Sequence, residues 1–180
     1  MGEILTLDRS VYIVGMMGAG KSEVGRLVAG YAGVDFIDTD KVIEDMSGET
    51  CGALVAAGRF VEAQNAAILS LRPENPTVIA TGGSTANYPD LVDHLGVFGV
   101  GLFLDVSPWI LSGRLSSERI AALNNPDNLS LDGIIDQRRP NYLRASQIVV
   151  PVNSIQIPLM TARRAAEAIS TYQSEHPLAT

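Results

Sequence analysis

The octapeptide Gly15-Met16-Met17-Gly18-Ala19-Gly20-Lys21-Ser22 constrains this chain more than any other feature. It fits G-x-x-x-x-G-K-[ST] and follows Val11-Tyr12-Ile13-Val14, a β-forming apolar run that reads as a buried parallel strand. After it, Val24, Leu27, Val28 and Tyr31 recur at helical spacing, and Gly30 and Gly33 punctuate the end. The pattern needs that strand-to-helix context. Its glycines let successive backbone N–H groups converge on an anion, and the helix turns its positive end toward the same point.

The rest of the chain repeats the alternation. Further strands are expected at Val34–Ile37, Thr77–Ala80, Val100–Leu104 and Gln147–Val152. Helices are expected at Lys41–Met46, Cys51–Leu71 (one or two, around Gly58), Asp90–Leu95, Pro108–Leu115, Ser130–Arg144 and Leu159–Tyr172. Ser107 reads as an N-cap, Pro140 as a kink or stop, and Ser116–Leu129 as a mobile polar loop. Alternating strands and helices imply a three-layer α/β/α fold around a five-stranded parallel sheet. Ligands then bind beyond the carboxyl ends of the strands, where segments 15–22, 38–40 and 82–84 fall. One domain is expected over 1–173, with a frayed tail at 174–180.

Composition excludes several classes. A formal charge of −7 argues against nonspecific nucleic-acid binding. No apolar run approaches the ~20 residues that cross a bilayer, and the first ten residues lack a signal-peptide core. Cys51 is the sole cysteine, so no intrachain disulfide forms, and a soluble, cytoplasmic protein is expected. Nothing points to a protein partner, and a monomer is expected. Lys21 is one of only two lysines among 13 basic residues.

Within the loop, Lys21 is expected to reach the β- and γ-phosphates of ATP, and the Ser22 hydroxyl to ligate Mg²⁺. Gly15, Gly18, Ala19, Gly20 and Glu23 complete the nucleotide-binding set. Asp38 and Asp40 flank Thr39 at the end of the second strand, and on an extended segment both carboxylates face one pocket. One can hold Mg²⁺ through water and the other accept a hydroxyl proton. Alternatively, Asp38 or Asp40 caps the following helix.

The run G-M-M-G-A-G-K-S-x-x-G-R-x-V-A, with D-T-D about 16 residues after Ser22, resembles the shikimate kinase family. Gly82-Gly83, Arg119 and Arg138-Arg139-Pro140-Asn141-Tyr142, which fits R-x-x-x-Y, extend the resemblance over about residues 11–170. It implies a fold similar to nucleoside monophosphate kinases, with a substrate-binding helical segment over 40–72 and a lid over 114–129. It also implies ATP-dependent phosphorylation of the 3-hydroxyl of shikimate. Carried across, Asp38 supports the metal through water, Asp40 grips the substrate hydroxyls and acts as base, and Gly82 and Gly83 approach the substrate with backbone N–H groups. Arg138 pairs with the carboxylate. Arg119 neutralises the transferring phosphoryl group, and Arg114 stacks on adenine. Arg114 and Arg119 also read as ordinary solvated charges.

The chain departs from the family in its G-E-x-x-F-R-x-x-E helix, whose arginine is a second carboxylate clamp. Aligned from Gly58 without gaps, Ala63 stands at that arginine; aligned on Phe60, Val61 does. Ser84 replaces a third glycine, and Ile120 the proline after the lid arginine. Losing the clamp costs about 1.5–3 kcal/mol of binding. Arg59, four residues before Ala63, is expected either to replace it or to be a surface residue. Two further readings stand beside the first: a kinase of another small polyol, acid or nucleotide, and a non-catalytic nucleotide-binding regulator.

Overall fold

The computed structural model describes residues 5–121, 123, 127–155 and 157–178. In chain order the elements are β1 (Ser10–Val14), α1 (Lys21–Ala32), β2 (Asp35–Asp38), α2 (Thr39–Ser47), α3 (Cys51–Ala56), α4 (Phe60–Ser70) and β3 (Thr77–Ala80). There follow α5 (Pro89–Gly96), β4 (Gly99–Val106), α6 (Pro108–Arg114), α7 (Ser117–Ala121), α8 (Leu131–Arg144), β5 (Ile148–Val152) and α9 (Pro158–Glu175). A short 3₁₀ turn at Thr85–Asn87 follows β3.

The five strands form one sheet in the order β2-β3-β1-β4-β5, every pair parallel. Every residue of β1 is buried, as a central strand covered on both faces requires. Ile13 pairs with Ala80 on one side and Leu102 on the other. The edge strand β5 alternates buried and exposed residues and accommodates Pro151, which a central strand would not. The carboxyl ends of β1, β2 and β3 therefore lie side by side, and the phosphate loop, Asp38 and Gly82 emerge there together.

The Cys51–Leu71 stretch takes the two-helix alternative, because Gly58 adopts φ +69° between them. Other expectations are corrected. The loop expected over Ser116–Leu129 contains α7, whose Arg119 N–H is bound by the Ser116 hydroxyl at 3.4 Å; its residues 122 and 124–126 lie outside the described residues. Pro140 does not end α8, and its exposed position leaves the carbonyl one turn earlier open to water. The helix α9 continues to Glu175, because Gln173 Nε2 donates to the Thr6 carbonyl at 2.8 Å and Arg9 donates to the His176 carbonyl at 2.7 Å. Ser107 does precede α6, but its hydroxyl bonds Asn153 at 2.9 Å and makes no cap bond.

Candidate active site

The phosphate loop is built as its residues demand. Gly18 and Gly20 adopt φ +79° and +89°, the left-handed region where a side chain is strained, and Gly20 occupies the N-cap of α1. Lys21 opens the helix, almost fully buried, with Nζ donating to the Gly15 and Met16 carbonyls at 2.8 and 2.9 Å. Burial lowers its pKa to about 8, against the opposing pull of Asp40 and Asp38 and with a further push down from Arg119. Asp40, Asp38 and Arg119 are thus the charges whose fields reach the loop lysine. Ser22 and Glu23 are exposed at the start of α1.

Beside the loop lies a cleft lined by Gly18, Ala19, Gly20, Glu23 and Arg114, and closed by Val152, Pro158 and Thr161. Arg114 Nη1 donates to the Gly18 carbonyl at 3.3 Å, so the arginine is docked on the loop. The β5–α9 side of this cleft had no motif to mark it.

The acidic pair is not the extended dipeptide that alternation suggested. Asp38 ends β2 and is the N-cap of α2, its Oδ1 accepting from the Asp40 N–H at 3.1 Å, so the capping reading applies to Asp38. Asp40 sits in the first turn. It is exposed to solvent, yet protein crowds it enough that desolvation raises its pKa; Asp38 and Glu44 raise it further, and Lys21 opposes them. Since two neighbouring carboxylates push the same way as desolvation, the upward direction stands.

Between these aspartates, Thr39 is completely buried and its Oγ1 accepts the Gly82 N–H at 3.1 Å. That bond pins the turn after β3 onto α2. It also occupies one of the two N–H groups expected to face the substrate. A Cβ on Gly82 would lie 3.3 Å from Asp40 Oδ1, and one on Gly83 would lie 3.0 Å from the Met17 nitrogen, so the turn is wedged between the acidic residue and the phosphate loop.

Arg138 and Tyr142 approach from α8, both buried. The Tyr142 hydroxyl donates to the Gly83 carbonyl at 2.6 Å and is hydrogen-bonded to Arg138, while its ring stacks on Phe103. Burial pushes this phenol up to about 12, so it stays a donor at neutral pH. Lys21 and Arg138 are the buried cations among the described residues.

The α4 helix changes the reading of the missing clamp. Ala63 packs with Ile43, Leu54 and Ala67, in the small core between helices. The next residue, Gln64, is the one turned to the glycine turn: it is fully buried, and its Oε1 accepts from Ser84 Oγ at 3.0 Å and lies 3.4 Å from Thr85 Oγ1. Arg59 points elsewhere. It forms an exposed ion pair with Glu49 at 2.7 Å, so the clamp role expected of it would require that pair to break.

Among the described residues no three His, Cys, Asp or Glu side chains cluster as a metal cage. The exposed Ser22 hydroxyl and the Asp38 carboxylate nevertheless suit Mg²⁺, which takes one or two protein oxygens, keeps water and shares phosphate oxygens.

A family model described as shikimate kinase matches residues 17–170. A shikimate kinase of Psychrobacter sp. (strain PRwf-1) is 31% identical over 172 residues, covering 93% of this chain and 95% of that protein. One of Synechococcus sp. (strain CC9605) is 34% identical over 152 residues, 79% of this chain and 74% of that protein. The solved shikimate kinase of Acinetobacter baumannii in complex with shikimate superposes with a TM-score of 0.75 at 24% identity, over 95% of this chain and 96% of that one.

Proposed function

The chain belongs to the shikimate kinase family, and on that premise we propose how its residues divide the ATP-dependent phosphorylation of shikimate at the 3-hydroxyl. The observation that carries the reading is the glycine turn wedged between Asp40 and the phosphate loop and pinned there by Thr39 and Tyr142.

The donor half comes first. The γ-phosphate lies in the loop, and Lys21 exchanges the Gly15 and Met16 carbonyls for phosphate oxygens. Arg114 and the α6–α9 cleft take the base. Ser22, and Asp38 through water, would hold Mg²⁺, which supplies charge neutralisation on the phosphates. Arg119 on α7, within the lid over 114–129, adds positive charge to the equatorial oxygens as the lid closes.

The acceptor half is built from α2, α4, α8 and the glycine turn. Asp40 grips the substrate hydroxyls, and Arg138 meets the carboxylate with its planar guanidinium. With Gly82 N–H held by Thr39, Gly83 supplies the backbone donor. The 3-hydroxyl oxygen forms its bond to the γ-phosphorus as the bond to the bridging oxygen breaks. ADP leaves, and the hydroxyl proton passes to Asp40 and on to water. A raised carboxyl pKa favours that acceptance, although positioning supplies most of the rate in a loose transition state.

We read the enzyme as a cytoplasmic monomer; no helix among the described residues is long and apolar enough to cross a membrane. Phosphorus NMR of a reaction containing ATP, Mg²⁺ and shikimate tests the assignment. A phosphomonoester coupled to the proton on carbon 3 is expected; a phosphate on another hydroxyl, or free phosphate alone, would refute it.

A further inference from the structure

One of the chain's departures from its family makes a specific contact with α4. Ser84, where the family has glycine, donates its hydroxyl to Gln64 Oε1 at 3.0 Å, and Gln64 occupies the face of α4 turned to the acceptor turn. The Thr85 hydroxyl approaches the same oxygen at 3.4 Å, so both hydroxyls fix the amide by its carbonyl end. The other end is unusual. Among the described residues, Gln64 Nε2 is buried without a hydrogen-bond partner, although the residue is completely enclosed. Buried amide donors are nearly always partnered, so one left alone, like Asn65 Oδ1 beside it, marks a place that a ligand or a water would complete. Its surroundings say which. Asp40 Oδ1 and Gln64 Oε1 both stand 3.3 Å from where a Cβ on Gly82 would sit, so the amide and the substrate-gripping carboxylate flank the same backbone.

We propose that Gln64, oriented by Ser84, is an acceptor-specificity residue that donates a neutral hydrogen bond through Nε2 to an oxygen of the bound substrate. This rests on shikimate being the acceptor, as argued above. Gln64 contacts the substrate; Ser84 is a positioning residue that acts through it. The site thereby replaces a second cation with a donor whose direction is set from behind, and Arg138 remains the buried cation that meets the acceptor's charge. Because Nε2 is enclosed in the free protein, α4 or the turn must shift when substrate binds.

Steady-state kinetics of Gln64→Met, Ser84→Ala and the double variant test this, with Arg59→Ala as a control. For Gln64→Met the shikimate KM is expected to rise about 5- to 30-fold, the effect of one good hydrogen bond. Its kcat and ATP KM stay within about twofold, while the Tm of the free protein falls, because the Ser84 and Thr85 hydroxyls lose their Oε1 acceptor. Ser84→Ala raises the shikimate KM about 2- to 5-fold and adds nothing in the Gln64→Met background. An unchanged shikimate KM in Gln64→Met, or independent multiplication of the two effects, overturns the proposal. So does a rise in Arg59→Ala, which would assign the role to Arg59. Should Gln64→Met fold poorly, the half-buried Ser84→Ala decides alone: an unchanged shikimate KM there also overturns it. Wild-type enzyme that fails to turn over shikimate refutes the acceptor assignment before any variant is compared; wild-type turnover with an unaffected Gln64→Met refutes this inference only.

Discussion

The Tyr142 hydroxyl lies 2.6 Å from the Gly83 carbonyl oxygen, tying α8 to the turn that carries the acceptor site. The same hydroxyl is bonded to Arg138, so one phenol holds both the guanidinium and the backbone proposed to meet the substrate. Tyr142→Phe keeps the ring stacked on Phe103 and removes the hydroxyl's bonds to the Gly83 carbonyl, Arg138 and Met16 Sδ. Stability to urea is expected to fall by about 1–3 kcal/mol, since a buried carbonyl loses its donor. The shikimate KM should rise severalfold while the ATP KM holds. Equal weakening of both substrates would mean that Tyr142 supports the core and not the acceptor site.

Lys21 makes a pH-dependent prediction. Its folded pKa, about 8, lies below its unfolded value of roughly 10.4, so the free protein carries a cost for charging it at neutral pH. That cost is fully present below about pH 8, fades as pH rises from there toward the unfolded value, and is gone above it. Lys21→Met should therefore raise the Tm of the free protein at pH 7 while abolishing turnover. ATP needs the charged lysine, so binding at pH 8.5 should be coupled to proton uptake. Calorimetry in two buffers of different ionisation heat checks this: the heats should diverge at pH 8.5 and coincide at pH 6.5.

Asp40 behaves in the opposite ionic sense. Its raised folded pKa means that its charged form opposes folding above the unfolded carboxyl pKa, and the cost is relieved as the pH falls through that range. Asp40→Asn should leave the Tm unchanged or higher, because the carboxylate is partly open to water and its effect is screened. Its kcat should fall at least ~100-fold, as loss of a positioned base implies, with ATP affinity within a few-fold. A Tm drop with parallel loss of ATP binding would make Asp40 structural.

Much of this was legible in the residues. The strand-to-helix entry of the phosphate loop follows from an apolar run ending at Gly15 and a helix beginning at Lys21, both local signals, whereas the strand order is not local and came only with the fold. Arg138 and Tyr142, one helical turn apart, do face one site together. What could not be read was direction on α4, where one residue of register turns the chain by about 100° and exchanges Ala63 for Gln64. Thr39 was hidden for a similar reason: its flanking carboxylates carry the chemical signal, but its buried hydroxyl holds the turn. The cleft wall at Val152, Pro158 and Thr161 is apolar or small and has no motif, so only the fold brings it to the loop.

The central claim, that the donor site of this chain serves shikimate, is tested most directly by ADP release from wild-type enzyme across a panel of acceptors. The panel should hold shikimate, other small polyols and hydroxy acids, and nucleoside monophosphates, with saturating ATP and Mg²⁺. The account predicts a kcat/KM for shikimate at least ~100-fold above every other acceptor, since matched buried polar groups reject ligands that leave them unpaired. Higher kcat/KM on a different acceptor, or ATP binding with no turnover on any, would contradict it.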